Sequence, residues 1–270
     1  MSSWVIQAPR KRLETDAIVF VETEAGFCSQ FNSYLYHVIV AKKEKQKLYL
    51  FGQDSTLGYS FLQRSFLLPS TVEPISILPE NVKSRAKQIL AALSNMTPEQ
   101  IRAEAVQLFR LSPELSQKIA TERAKYAFPA FDVGVHIRSG DKITAGEMAA
   151  IPIQKYAAEI KKYAPKSVFV MTDNPGILQA LKGLLGSSIE LFSLDYKSPC
   201  GGAHIQGEFN LAPRAVKEEA YIQFMTELNI MQDIPQIICT LSSNIGRFLY
   251  TTCKDVSQFK SLDVPFYAPC

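Results

Sequence analysis

The sequence is poor in the features that mark secreted, metal-binding or membrane-spanning chains. Its five cysteines include no C-x-x-C pair, so neither a disulfide framework nor a zinc site is expected. No apolar run approaches the roughly 18 residues that cross a bilayer. The first ten residues contain no signal-peptide core. These absences predict a cytoplasmic protein without a membrane span.

Several catalytic signatures are also missing. The chain has no G-x-x-x-x-G-K-[ST] loop, which argues against a P-loop NTPase, and it has neither a G-x-G-x-x-G loop nor a G-x-S-x-G elbow. There is no Asp-x-Asp pair of the kind that holds a divalent ion against a diphosphate. The 29 basic and 26 acidic residues leave a net charge of only +3. We therefore expect neither a metal cofactor nor a nucleic-acid partner.

What the sequence does contain is an alternation of short apolar runs with helical patterns. Residues 17–51 predict a strand, a helix and a second strand, and residues 80–126 predict helices only. From residue 131 onward, continuous apolar strands alternate with helices, which is typical of a parallel sheet covered on both faces. The predicted fold class is α/β, with one domain over 1–128 and a second over 129–270.

Four polar clusters follow predicted strands. They are Glu22 to Gln30, His136 to Lys142, Thr172 to Pro175 and Thr240 to Asn244. Because the carboxyl ends of parallel strands meet at one edge of a sheet, where open α/β sheets bind ligands, these clusters are candidates for one site.

The cluster from His136 to Lys142 carries the clearest chemistry. Arg138 can bind a phosphate bidentately, Lys142 adds a point charge, and Asp141 can orient the arginine. The alternative is a solvated charged turn. The serines before the last helix predict an anion site built from hydroxyls and helix amides, or simply a helix N-cap.

Four segments in this order resemble the α1,6-fucosyltransferase family, which includes the nodulation fucosyltransferase and the protein O-fucosyltransferases. They are Gly26-Phe27-Cys28-Ser29-Gln30-Phe31, Val133 to Lys142, Met171 to Pro175, and Cys239 to Arg247. The resemblance implies a GT-B type fold, with two Rossmann-like domains and a donor cleft between them. It also implies a metal-independent enzyme that inverts the anomeric centre of a nucleotide sugar.

Carried over residue by residue, the resemblance assigns roles to individual positions. Arg138 would bind the donor diphosphate and stabilise the departing nucleotide, with help from Lys142. The donor-binding residues would be Gly26, Phe27, Gln30, His136, Asp141, Asp173, Asn174, Glu227, Ser242, Ser243 and Asn244. Glu147 is the first candidate for the catalytic base, and Glu22 and Glu24 are alternatives.

The sequence departs from the family pattern at three positions. The family often has a second arginine where Ser139 stands, an aspartate at Asn174, and a base-contacting aspartate where this chain has Glu227. These positions bear on the choice of donor.

The leading hypothesis is therefore an inverting transferase that moves fucose from GDP-fucose to a hydroxyl of an oligosaccharide or glycoprotein glycan, without a metal cofactor. One alternative uses another donor, such as UDP-xylose. A second alternative is a non-catalytic glycan-binding protein that kept the fold. The expected setting is a soluble, cytoplasmic chain of bacterial or viral origin.

Overall fold

The computed structural model describes residues 17–23, 25–52, 61–76, 78, 86–139, 150–194, 205–255, 257 and 259–266. Within these ranges every pairing between strands is parallel. The predicted α/β class with parallel sheets is confirmed.

The N-terminal part forms a three-stranded sheet in the order β1-β2-β3. Its strands are β1 (Ile18–Val21), β2 (Leu48–Phe51) and β3 (Val72–Ile75). Helix α1 (Phe27–Glu44) connects the first two strands, and the short helix α2 (Phe61–Ser65) precedes the third. The helix predicted from residue 31 therefore begins four residues earlier, at Phe27.

A helical segment follows, as the sequence predicts. It contains α3 (Ala86–Leu93), α4 (Pro98–Leu108) and α5 (Pro113–Arg123). Thr97 forms a capping box with Gln100, and the Ser112 hydroxyl accepts a hydrogen bond from the amide of Leu115. Both predicted helix starts, each a cap followed by proline, are confirmed.

The C-terminal part forms a five-stranded sheet in the order β6-β5-β4-β7-β8. The strands are β4 (Val133–Ile137), β5 (Ser167–Thr172), β6 (Glu190–Phe192), β7 (Gln236–Cys239) and β8 (Phe259–Ser261). The helices are α6 (Ile153–Lys162), α7 (Gly176–Leu185), α8 (Gln206–Leu211), α9 (Arg214–Asp233) and α10 (Asn244–Thr252). The predicted loop from 198 to 207 is wrong at its end, because Gln206 and Gly207 begin α8.

The two faces of β4 meet different helices. Val133, Val135 and Ile137 pack with residues of α6 and α7. Gly134 lies on the opposite face beneath α9, where an added Cβ would come within 2.8 Å of the Met231 sulfur. The glycine thus allows α9 to approach the sheet closely, and His136 lies on this same face because side chains alternate along a strand.

The N-terminal and C-terminal parts share one hydrophobic core. Helices α1 and α4 pack against α10, and α5 packs against α9. An aromatic cluster joins them, with rings from Phe27, Phe31, Phe66, Phe109, Tyr221, Phe224 and Phe248. This packing brings the first residues of α1 next to the carboxyl edge of the five-stranded sheet.

Candidate functional site

Arg138 follows β4 directly and is held by Asp173, which follows β5. The guanidinium Nη1 lies 2.7 Å from one carboxylate oxygen of Asp173, and both side chains are largely buried. The other carboxylate oxygen accepts a hydrogen bond of 2.7 Å from the amide of Ser139. Asp173, predicted to line the donor pocket, therefore orients Arg138.

Two of the departures from the family pattern contact each other. The Asn174 side-chain amide donates a 3.2 Å hydrogen bond from Nδ2 to the Ser139 hydroxyl, and its Oδ1 accepts one of 3.0 Å from the backbone amide of Gly176. A neutral pair thus stands at two positions where the family often has an arginine and an aspartate. Exchanging both together leaves no unpaired charge behind.

The predicted first loop is in fact the first turn of a helix. Gly26 is the N-cap of α1 without a side chain to cap it, and no acidic residue lies in the first turn. Burial raises the pKa of the Cys28 thiol, and the positive charge of Arg138 opposes that rise. The helix N-terminus and Arg138 are therefore close together, and both favour an anion.

Phe27 and Gln30 support this turn with their side chains. The Phe27 ring lies in the aromatic cluster. The Gln30 amide bonds the amide of Thr23 and the carbonyl oxygens of Thr23 and Ala25, at 2.7 to 2.8 Å. Both side chains are therefore engaged within the protein, where they hold the segment before the helix.

His136 is buried beside Arg138 and is electrically neutral. Burial and, to a smaller extent, the charge of Arg138 lower its pKa to about 3. Its Nδ1 atom is buried and has no hydrogen-bond partner among the residues that the structure describes. A neutral imidazole with an unsatisfied nitrogen at the end of β4 can bond a polar ligand without adding charge.

Glu227 is also buried at this edge of the sheet. It lies one helical turn before Met231 on α9, and His136 lies two residues after Gly134, which Met231 covers. One turn of α-helix and two residues of β-strand each span roughly 6 to 7 Å. Because α9 turns directly into β7, it runs antiparallel to β4. Glu227 therefore lies level with His136.

Glu227 is a buried residue and not a solvated position on the surface of α9. The residue is 4% exposed, and burial raises its pKa to about 8. Within the part of the chain that the structure describes, its carboxyl group forms no hydrogen bond or ion pair. A buried carboxyl group without a partner among the described residues is available to a ligand that offers two donors.

This raised pKa predicts how the stability of the protein depends on pH. The folded pKa of about 8 exceeds the usual 4.5, so the contribution of the neutral carboxyl is complete at low pH and is lost as the pH rises through 8. We expect Glu227→Gln to remove a decline on the order of 2–4 kcal/mol between pH 5 and pH 9. Urea unfolding of parent and variant at these pH values measures it.

The control for this prediction is Glu218→Gln. Glu218 is partly exposed on the same helix and pairs with Arg214 at 2.9 Å. The control should keep the pH dependence of the parent. An equal pH dependence in Glu227→Gln and the parent would show that the carboxyl is ionised in the folded protein at neutral pH.

The polar side chains in the turn between β7 and α10 form many of their hydrogen bonds within the protein. The Ser243 hydroxyl accepts a 3.3 Å bond from the amide of Ile245, as predicted for an N-cap. The Ser242 hydroxyl donates a hydrogen bond to Asp263, and the side-chain Oδ1 of Asn244 accepts one of 2.6 Å from Arg247. Asp263 was not predicted as a site residue, because it follows the three-residue edge strand β8 and belongs to no motif.

Several predicted residues lie outside the described residues. Asp141, Lys142, Glu147 and Glu24 belong to this group. Glu22, an alternative for the base, is 1% exposed, and its carboxylate accepts a 2.8 Å bond from the amide of Leu62 in α2. The Glu22 side chain thus anchors α2 to the end of β1.

The described ranges contain no group of three or more His, Cys, Asp or Glu side chains that could hold a metal ion. In these same ranges, no helix is both long and apolar enough to cross a bilayer.

No protein-family model matches the sequence, but solved structures share its fold. NodZ α-1,6-fucosyltransferase soaked with GDP-fucose aligns at a TM-score of 0.55 and 13% identity, over 87% of this chain and 92% of that chain. Fucosyltransferase NodZ from Bradyrhizobium aligns at 0.54 and 14%, over 86% and 91%. POFUT1 in complex with GDP-fucose aligns at 0.55 and 9%, over 92% and 98%.

At these identities the likeness is one of fold. The chain has the α/β fold of these fucosyltransferases over most of its length, which confirms at the level of the fold the resemblance drawn from the four motifs.

Proposed function

We propose that the chain is a glycosyltransferase that moves fucose from GDP-fucose to a glycan hydroxyl, with inversion and without a metal ion. The observation that carries this proposal is the pairing of Arg138 with Asp173 beside the uncapped N-terminus of α1. The neighbours of the same fold were solved with GDP-fucose or GDP, which supports this choice of donor.

We place the nucleotide along the carboxyl edge of the five-stranded sheet. Arg138 and the amides of the first turn of α1 would bind the diphosphate. Glu227, level with His136, would accept hydrogen bonds from the base. In this proposal, residues 129–270 form the donor domain, residues 1–128 form the acceptor side, and the donor lies in the cleft between them.

The chemistry follows from this placement. The acceptor hydroxyl attacks the anomeric carbon, the bond from that carbon to the diphosphate oxygen breaks, and the negative charge grows on the leaving phosphate. Arg138 is already oriented by Asp173, so it stabilises this charge with little reorganisation. Lys142 would add a second cation and Glu147 would take the proton of the hydroxyl; both roles come from the sequence alone.

Transfer should continue in the presence of EDTA. In the proposed site the positive charges that face the diphosphate are side chains and helix amides, so chelation removes nothing that the reaction uses. The measurement is the initial rate of GDP release with and without 10-fold excess chelator over added metal. A rate that falls with EDTA and returns with manganese or magnesium would contradict the proposed chemistry.

A thermal-shift panel of GDP, UDP, GDP-fucose and UDP-xylose tests the choice of donor. At 100 times its Kd a ligand adds about 2.7 kcal/mol of stability, which for a chain of this size raises Tm by roughly 5–10 °C. We expect the guanine nucleotides to give this shift. A shift with UDP and UDP-xylose alone would favour the xylosyltransferase alternative.

A further inference from the structure

The turn between β7 and α10 is held by two charged side chains that play no part in the roles described above. Asp263 accepts hydrogen bonds from the amide of Leu241 at 2.8 Å and from the amide of Ser242 at 3.2 Å. Arg247 donates through Nη1 to the carbonyl oxygens of the same two residues, at 3.1 and 3.0 Å. All four backbone polar groups of Leu241 and Ser242 are therefore bound by two side chains of opposite charge.

Each of these two side chains is fixed by further contacts. Asp263 also accepts bonds from the hydroxyls of Ser242 and Ser261 and from the amide of Val264. Burial raises the pKa of Asp263, but these hydrogen bonds outweigh burial and hold the pKa below its usual range. Asp263 is thus a carboxylate at neutral pH, and it holds the turn with a full charge.

A third residue connects this turn to the other side of the site. Asn32 of α1 is 3% exposed, and its amide donates a 3.1 Å bond to the backbone oxygen of Asn244. The Asn244 side-chain oxygen lies 3.5 Å from the same amide and 2.6 Å from Nη2 of Arg247. Asn32 therefore fixes the distance between the turn and the helix whose first residues lie beside Arg138.

These contacts leave the turn with donors in excess. They occupy the side-chain oxygens of Ser242 and Asn244, and Ser243 caps the helix. The amide of Ile245 is bound by Ser243, but the Asn244 side-chain nitrogen and the amides of Asn244 and Gly246 are not used by any of these contacts. Hydrogen-bond donors at a helix N-terminus suit the oxygen atoms of a nucleotide.

We infer that Asp263, Arg247 and Asn32 are positioning residues, which hold the turn from Thr240 to Asn244 so that its remaining donors face the nucleotide sugar. This inference rests on the proposed function. Asp263 and Arg247 constrain the turn from its two sides, and Asn32 sets its distance from α1. Loosening the turn should weaken binding of the donor more than it slows the chemical step, because Arg138 and Asp173 lie on other strands.

The test uses Asp263→Asn and Asn32→Ala, with Asp233→Asn as the matched control. Asp233 lies on the surface and pairs with Arg123 at 3.2 Å and with Lys254 at 2.5 Å. We expect both test variants to raise KM for GDP-fucose about tenfold or more, since each loses hydrogen bonds in a buried network. We expect kcat to stay within about threefold of the parent, and the control to match the parent in both.

A second readout needs no substrate. In the free protein, hydrogen–deuterium exchange of the amides of Leu241 and Ser242 should be about tenfold faster in Asp263→Asn than in the parent and the control. Unchanged exchange, or a fall in kcat at constant KM, would overturn the positioning role. A parent that binds no nucleotide would instead refute the proposed function, and that result is visible before any variant is made.

Discussion

Arg138→Ala is expected to lower the rate of fucose transfer by about 100- to 1000-fold, the usual loss when one preorganised donor is removed from a developing anion. The structure strengthens the physical reason, because Arg138 is fixed by an ion pair of 2.7 Å to Asp173. The measurement is kcat for GDP release from GDP-fucose.

Arg138→Lys should recover little of this rate. A lysine ammonium carries the same charge but cannot bond Asp173 and a phosphate with one rigid planar group. Arg214→Ala is the control, since Arg214 is exposed and forms an ion pair with Glu218 on its own helix. Turnover within a few-fold of the parent in Arg138→Ala would remove Arg138 from the mechanism.

Glu227→Gln should weaken GDP binding by about 10- to 100-fold, the range expected for hydrogen bonds to a charged group. Guanine presents two neighbouring N–H donors. A carboxylate accepts both, whereas an amide offers one acceptor and one donor. Uracil presents one donor between two acceptors, so the variant should lose less affinity for UDP or gain some. Calorimetric titration of GDP and UDP against parent and variant measures both changes.

The same titration carries an internal check. Because the pKa of Glu227 is raised to about 8, GDP binding through the carboxylate at pH 7 should release close to one proton. Titrations in buffers of different ionisation enthalpy detect that proton, and Glu227→Gln should not release it. Equal GDP affinity in parent and variant, with no proton released by either, would show that another residue reads the base.

The sequence predicted the parts of the site that short local patterns encode. Arg138 and Asp173 each stand directly after a strand that reads as a continuous apolar run, so their meeting at one sheet edge followed from the parallel topology. The starts of α4 and α5 were visible because a cap and a proline are adjacent in the chain. These predictions depend on residues that are near neighbours in sequence.

The parts that the sequence did not predict depend on contacts between distant segments. Asp263 follows a three-residue edge strand without any pattern, and it acts on amides about 20 residues away. Asn32 lies among other polar residues in the first part of α1, with no pattern that marks it, and its partner is Asn244. Phe27 was predicted to lie in a ligand-binding loop. Its ring instead belongs to the aromatic cluster, which forms only when α1, α2, α9 and α10 pack together.

The burial of Glu227 also depends on a contact between distant segments of the chain. On a helix of mixed composition, the sequence alone does not distinguish a surface glutamate from one that is buried beside a ligand. Glu227 is buried because Gly134 lets α9 approach β4 closely. The face of α9 that carries Met231 and Glu227 then lies against the sheet. The position of one carboxyl group was thus determined by a missing side chain on a strand more than 90 residues earlier.

The measurement that tests the central claim most directly is turnover of the donor itself. Purified protein is incubated with GDP-fucose, with and without a fucose-accepting oligosaccharide, and GDP is separated from GDP-fucose by chromatography over time. We predict GDP release above the protein-free background, faster with a suitable acceptor and lost in Arg138→Ala. GDP-fucose that binds to the protein but stays intact under both conditions would contradict the account and leave a glycan-binding protein in its place.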